Sequence, residues 1–343
     1  MPIRLSPRLD NVRPSLTLSL DDRVRSLQAA GKNIINLTVG QPDFDTPAWI
    51  GDAARAAITR GATRYTSPIG TLPLRQAAAA WFRAKTGLDY TAEEILVSSG
   101  SKHAIYNALQ ALLVPGDKVI VPSPFWSSYP DLVHMAGGVP VHPAGTLESG
   151  WKLTPALLDA AITPKTRVLL INSPNNPTGA LYHRGEAEAL ARVILERDIA
   201  VISDKIYDRL VYDNLTPVSF AAVLPGMRAR TIAINGVSKA YAMTGWRIGF
   251  AAGPPDIIEG MGRYQAQATS NPSSISQEAA LAALTGTGPE LETMLAAYQR
   301  RRDAVVAALS SLPGVELVPP DGAFYVFFRV RQLLGRSIGG VRF

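Results

Sequence analysis

Cysteine is missing from all 343 residues, which excludes disulfides, thiolate nucleophiles and Cys-ligated zinc. Histidine is scarce: His103, His134, His142 and His183 are the only four, and no HExxH pair occurs, so a His-rich metal site is not expected. No apolar run reaches the roughly 18 residues of a membrane span. The opening MPIRLSPRLDNVRPS lacks the apolar centre of a signal peptide, and the expected setting is cytoplasmic, away from membranes. Neither GxxxxGKS/T nor GxGxxG is present, so the common nucleotide-phosphate motifs are absent. Charge of one sign is not concentrated either. Lys plus Arg is 34 and Asp plus Glu is 28, a net +6; the excess is scattered, and its densest cluster is Arg300, Arg301 and Arg302 in a helix-like stretch. Such a balance suits small anionic ligands and offers nucleic acid no extended face.

What is present is a hydrophobic content of 47%, in a chain of about two ordinary domains' length that can bury a sizeable core. Short Val- and Ile-rich runs bounded by Gly, Pro, Asn or Ser predict strands at 95–98, 118–121, 139–142, 167–172, 199–203, 231–235 and 248–252. Amphipathic stretches lie between most of them. In 103–113, Ile105, Leu109, Leu112 and Leu113 share one face; in 185–197, Leu190, Ile194 and Leu195 do. This alternation predicts an α/β fold with a largely parallel sheet covered on both sides. The ends read differently. A helix at 20–30 and a strand at 33–38 are expected near the start; a long helix at 289–312 and strands at 315–318 and 323–330 near the end. We expect an arm and part of a smaller α+β unit over 1–45, a large unit over 46–284, and the rest of the small unit over 285–343.

In open α/β sheets, ligands bind beyond the carboxyl ends of the strands, so the residues after each predicted strand are the ones to read. After 95–98, Gly100, Ser101 and Lys102 open a helix whose free N–H groups and dipole suit an anion, although a plain N-cap with a turn glycine explains them equally. After 118–121, Trp126 sits among prolines, where it can stack on a planar ligand or anchor a loop. After 167–172, Asn175 and Asn176 precede Pro-Thr-Gly: a rigid turn, or two amides for a phenolate or carboxylate. After 199–203 come Asp204 and Tyr207; a carboxylate at the end of an apolar strand needs a cation or donors, unless it only caps a helix. After 231–235, Lys239 follows Ser238 and precedes Arg247 by eight residues. Withdrawn from water and near another cation, such an amine becomes nucleophilic; otherwise it is an ordinary surface lysine. Taken together, these residues are the set that pyridoxal phosphate requires: a lysine for a Schiff base, an acid for the ring nitrogen and an anion seat.

The motifs VGQPDFDTP, RYTSPIGTLPLR, SGSKHA, PFWSSYPD, NSPNNPTG, SDKIYD and SKAYAMTGWRIG, in this order, resemble those of the class I pyridoxal-phosphate-dependent aminotransferases, nearest the bacterial aspartate and aspartate/prephenate branch. The resemblance covers about 14–330. It implies the aspartate aminotransferase type of fold, pyridoxal 5′-phosphate as cofactor, and ping-pong transfer of an amino group between an L-amino acid, aspartate or glutamate, and a 2-oxo acid such as 2-oxoglutarate. It implies Lys239 as the Schiff-base lysine and proton carrier, Asp204 as partner of the ring nitrogen, and Tyr207 and Asn176 as donors to the ring oxygen. Trp126 would stack on the ring. Gly100, Ser101, Lys102, Ser238 and Arg247 would hold the phosphate, with Tyr65 reaching it from the neighbouring subunit of a homodimer. Gly40 would line the substrate α-carboxylate, with Trp126 and Asn176 beside the substrate. Thr17 and Lys102 would meet the distal carboxylate, which gives Lys102 two candidate roles.

Two departures accompany the resemblance. Lys205 stands where the family has Glu after the Asp, a change expected to be external. The family also continues beyond GAFYVFF with a segment whose arginine grips the substrate α-carboxylate in two-point fashion. The tail RVRQLLGRSIGGVRF has no matching motif, although Arg329, Arg331, Arg336 and Arg342 are present. The sequence therefore reads as C-terminally shortened, with apolar faces of 323–330 uncovered. A cofactor-binding protein with little activity, and an enzyme for aromatic or alanine-type amino acids, stay open as alternatives.

Overall fold

The computed structural model describes residues 3–14, 16–338 and 341–342. Helix α1 (Leu16–Ala29) comes first, then α2 (Ala48–Thr59) and α3 (Leu72–Thr86). Next are β1 (Ile95–Ser98), α4 (Ser101–Leu112), β2 (Lys118–Ile120), α5 (Ser128–Met135), β3 (Val139–Val141) and α6 (Pro155–Ala161). They are followed by β4 (Thr166–Asn172), α7 (Arg184–Arg197), β5 (Ala200–Asp204), β6 (Thr231–Gly236) and β7 (Gly249–Ala252). Helices α8 (Pro255–Ala268), α9 (Ser274–Thr285) and α10 (Glu290–Ser310) lead to the short pair β8 (Glu316–Leu317) and β9 (Phe328–Arg329).

The first seven strands form one sheet in the order β1-β7-β6-β5-β4-β2-β3. Only β7 is antiparallel to its neighbours, β1 and β6. All seven strands stand at the positions that the Val- and Ile-rich runs predict, to within a residue at either end. Strands β1, β5 and β6 are buried along almost their whole length, which is why they read as continuous apolar runs instead of alternating ones. Apolar clusters cover both faces. Trp81, Phe82, Tyr90 and Phe250 pack edge to face within one of them, and Val168, Leu170, Ile202, Ile232 and Ile234 lie in another. Each fully buried Leu, Ile or Phe contributes about 1.5–3 kcal/mol of hydrophobic stabilisation.

The topology sets the site. The parallel strands β1, β2, β4, β5 and β6 end at one edge of the sheet, and the reversed β7 begins at that same edge. Residues after five strands, and those just before β7, are thereby brought together. A smaller apolar cluster of Ile206, Tyr207, Tyr212, Tyr298 and Ala323, with Phe324 and Tyr325 against it, ties α10 and the segment before β9 to that edge.

Three expectations are corrected. Residues 33–38 form no strand: Ile35 and Leu37 are 86% and 89% exposed, and Asn36 turns its amide to Asp21 and its carbonyl oxygen to Thr38 instead of entering a ladder. The expected strand over 323–330 shrinks to β9, because Ala323 adopts φ +59° and breaks the extended run. Within that run Phe328 alone is exposed; Phe324 and Phe327 pack on Tyr298 and Trp151. Lys205 is not external but 2% exposed. Its ammonium reaches the Val218 carbonyl at 3.4 Å, and burial lowers its pKa, with nearby Asp208 opposing.

Candidate active site

A cavity of about 540 Å³ opens at the strand-end edge. Of the residues singled out in the sequence, Gly40, Ser101, Lys102, Trp126, Asn176, Asp204, Tyr207, Ser238, Lys239 and Arg247 all line it. Gly100 stands at its rim, at φ +91°, where a Cβ would sit 2.4 Å from Arg247 Nη2. Tyr65 lies outside the cavity and is 91% exposed. Thr17 falls in α1, and its side chain is outside the described residues. Among the described residues no arginine of the C-terminal segment lines the cavity; Arg329 pairs instead with Glu316 and Glu148.

Lys239 Nζ donates to the Gly40 carbonyl at 2.5 Å. Burial, and then the positive field of Arg247, bring its pKa down to about 8, with Asp204 opposing. An amine in this state is uncharged in an appreciable fraction near neutral pH, unlike a surface lysine. Asp204 closes β5 and is 3% exposed. Burial pushes its pKa up to about 6, against the pull of its hydrogen bonds and of Lys239. Those bonds come from Tyr129 Oη at 2.8 Å and the Ile206 N–H at 3.0 Å, one to each carboxylate oxygen. The carboxylate is thus rigidly held and short of positive charge.

The remaining wall is equally braced. Trp126 packs edge-on against Tyr129, with centroids 5.3 Å apart. Lys102 Nζ lies 4.6 Å from the Trp126 ring centre and donates to Ser128 Oγ at 3.1 Å. Asn172, opposite Asp204 in the β4–β5 register, accepts the Asn176 N–H at 2.7 Å and so fixes the turn that presents Asn176. Asn176 Nδ2 donates to Tyr325 Oη at 3.1 Å, and Tyr325 Oη lies 2.7 Å from Tyr207 Oη. At the other end, Arg247 has among the described residues only backbone carbonyl partners, those of Thr244 and Ser99. It stands beside the N-terminus of the 12-residue helix α4, whose first amides lack helical acceptors. An unpaired guanidinium at a helix N-terminus is a seat for a dianion.

The sequence reading missed Tyr129, Asn172 and Tyr325. Tyr129 had a signal, being three residues after Trp126 in the same motif. Asn172 is flagged only by strand register, and Tyr325 only by tertiary packing across 118 residues.

A buried carboxylate, the lowered-pKa amines of Lys239 and Lys102 and an anion seat around a single cavity define a site for a phosphorylated, nitrogen-ring aldehyde. The aminotransferase class I and II family matches residues 32–337, and the chain belongs to that family, whose members act with pyridoxal 5′-phosphate. It is 48% identical over 337 residues to the aspartate/prephenate aminotransferase of Cereibacter sphaeroides, covering 98% of this chain and 84% of that protein. It is 45% identical to the aspartate aminotransferase of Geobacillus stearothermophilus, covering 96% and 84%. Among solved structures, the aspartate aminotransferase of Thermus thermophilus with maleate superposes with a TM-score of 0.93 at 42% identity, covering 97% and 86%. The Rhizobium meliloti enzyme gives 0.94 at 44%, covering 97% and 84%. The mostly parallel seven-stranded sheet is thus that of the pyridoxal-phosphate transferases. The residues present fit the cofactor: Gly100 leaves beside Arg247 the space a Cβ would fill, and Asp204 keeps both its oxygens on hydrogen-bond donors. No helix among the described residues is long and apolar enough to cross a membrane.

Proposed function

We propose that this chain transfers the amino group between aspartate or glutamate and a 2-oxo acid such as 2-oxoglutarate, and that Lys239 and Asp204, facing one cavity, carry the reaction. Bound pyridoxal phosphate supplies an aldehyde that condenses with amines and a ring that takes up the electron pair left at the substrate Cα. Lys239 would hold the cofactor through its Nζ and, once released, would take the substrate Cα proton and carry it to the carbon derived from the aldehyde; a pKa near 8 suits both taking and giving a proton. Asp204 would accept the ring N–H and keep that nitrogen protonated. Tyr207 and Asn176 would donate to the ring oxygen, and Trp126 would stack on the ring. The amides of Ser101 and Lys102, with Ser238 and Arg247, take the phosphate; Ser101 Oγ is already spent on the Asn235 carbonyl. Gly40, Trp126 and Asn176 border the substrate.

Gly100 combines a positive φ with close approach to Arg247. Gly100→Ala is expected to weaken cofactor affinity by roughly 10- to 100-fold, since a displaced Arg247 loses a charge-assisted hydrogen bond of about 1.5–3 kcal/mol. Tryptophan-fluorescence titration of the cofactor-free variant measures this, and unchanged affinity contradicts the assignment.

Lys102 is the second lysine of the cavity, and no carboxylate lies within ion-pair distance of it among the described residues. We assign it to the distal carboxylate of a dicarboxylic substrate, with Thr17. The maleate in the Thermus relative's structure is itself a four-carbon dicarboxylate, which supports this reading. Lys102→Ala is expected to raise KM for aspartate about 10- to 100-fold, the worth of one charge-assisted hydrogen bond, and to leave KM for alanine nearly unchanged. An equal rise for both substrates would return Lys102 to the phosphate.

The exposed Tyr65 and the exposed apolar Ile35 and Leu37 support a homodimer in which Tyr65 reaches the phosphate of the partner's site. We take residues 46–284 as the large cofactor-binding unit, with 1–45 and 285–343 building the smaller one, in a cytoplasmic enzyme. The function is tested by absorbance: aspartate alone should convert the cofactor's visible band, and 2-oxoglutarate should restore it. A band inert to both acids contradicts transamination of dicarboxylates.

A further inference from the structure

Tyr325 joins the two groups assigned above to the ring oxygen, although it comes from a distant segment of the chain. Its hydroxyl lies 2.7 Å from Tyr207 Oη and 3.1 Å from Asn176 Nδ2. Its ring stands edge-on to that of Tyr207, with centroids 5.8 Å apart at 81°. Its hydroxyl sits under Gly40, where a Cβ would approach within 2.3 Å. The phenol is therefore fixed on three sides.

Counting protons gives this network a direction. An amide nitrogen only donates, so Tyr325 oxygen accepts from Asn176. Burial raises the Tyr325 pKa to about 12, so the hydroxyl keeps its single proton. The other hydrogen-bond neighbour of Tyr325 among the described residues is Tyr207 Oη, where either oxygen can be the donor; a hydroxyl that already accepts from an amide donates more strongly, which favours Tyr325 donating to Tyr207. The Tyr207 proton is then released from this pair, and Asn176 retains a second amide hydrogen. Both residues line the cavity, so two donors are left for one ligand oxygen. In the reverse direction Tyr325 would accept from both neighbours, and its own proton, not that of Tyr207, would face the cavity.

We propose that Tyr325 is a positioning residue: by donating to Tyr207 it turns the Tyr207 hydroxyl toward the phenolic oxygen of the bound cofactor and strengthens it as a donor. This rests on the cofactor site assigned above. A hydroxyl that accepts a hydrogen bond is polarised and donates more strongly. A stronger donor at the phenolic oxygen favours the proton-poor form of the bound cofactor, and so lowers the pH at which its visible absorbance changes.

The test is a pH titration of that absorbance in the holoprotein for the parent, Tyr207→Phe, Tyr325→Phe and the double variant. Tyr325→Phe is expected to raise the midpoint by roughly 0.3–1 pH unit, a fraction of one hydrogen bond's worth. Tyr207→Phe should raise it further, and the double variant should match Tyr207→Phe alone, because Tyr325 acts through Tyr207. A parental midpoint in Tyr325→Phe, or a double-variant shift equal to the sum of the singles, overturns the proposal. Where Tyr325→Phe does not hold cofactor, Tyr325→3-fluorotyrosine keeps the shape and sharpens the donor. Its midpoint should fall, and an unchanged or raised value overturns the proposal. A parent without any visible band refutes the cofactor site itself, and the role of Tyr325 with it.

Discussion

Lys239→Ala is expected to lower kcat/KM by about 10⁵-fold or more, the scale seen when a covalent catalyst is deleted, while leaving the fold intact. The size of the effect follows from the lack of a substitute. Lys102 lines the cavity but is held by Ser128 and the Trp126 ring. Lys205 is buried away from the cavity against the Val218 carbonyl. The stability cost is small, because the ammonium of Lys239 is partly desolvated and has one hydrogen bond, to Gly40, so its removal also relieves a desolvation penalty. Far-ultraviolet circular dichroism should match the parent's, and gel filtration in denaturant should strip all cofactor from the variant. Turnover within tenfold of the parent would take the reaction away from this residue.

Asp204→Asn should lower kcat about 10³-fold, in line with loss of a preorganised charge partner, and should stabilise the cofactor-free protein. The two effects share one cause. The pKa of Asp204 in the fold, about 6, lies above the ordinary 3.8. The fold therefore favours the protonated acid: that contribution is complete below about pH 3.8 and is lost as pH rises through about 6. At pH 8 the cofactor-free protein carries a buried carboxylate whose cost is on the order of 2–3 kcal/mol. Asn has nearly the same shape, can accept from the Ile206 N–H and can donate to Tyr129 Oη. Thermal melts of cofactor-free protein should show Asp204→Asn more stable at pH 8, with the gap closing toward pH 5. A variant less stable than the parent at pH 8 would contradict this electrostatic account. In the proposed role, Asp204 would lower the stability of the empty protein in exchange for holding a protonated ring nitrogen, a trade common where function requires a buried charge.

The part of the molecule legible in the sequence is the part governed by local chemistry. Strands β1 to β7 announce themselves as short β-branched runs ended by Gly, Pro, Asn or Ser, and the same punctuation marks the loops where Gly100, Trp126, Asn176, Asp204 and Lys239 stand. What stayed hidden depends on which strand ends become neighbours. Tyr129 reaches Asp204 across 75 residues, a contact created by the order β5-β4-β2, which no periodicity encodes. Tyr325 looked like one of several aromatics in a strand; a left-handed Ala323 instead frees the segment to enter the site. Residues 33–38 carry a short run rich in Ile and Leu suited to a strand, but a strand needs a partner edge, and Asn36 binds Asp21 instead. Lys205 was misplaced because a lone lysine is usually exposed; its position directly after the buried end of β5 decides otherwise.

In the proposed reaction a single amine, Lys239 Nζ, carries the cofactor. Borohydride reduction of the holoprotein, followed by proteolysis and mass spectrometry of the peptides, tests it most directly. The account predicts a single phosphopyridoxyl label, on the peptide containing Lys239 and on that lysine. A label on Lys102, Lys205 or any other amine, or none at all, would contradict it.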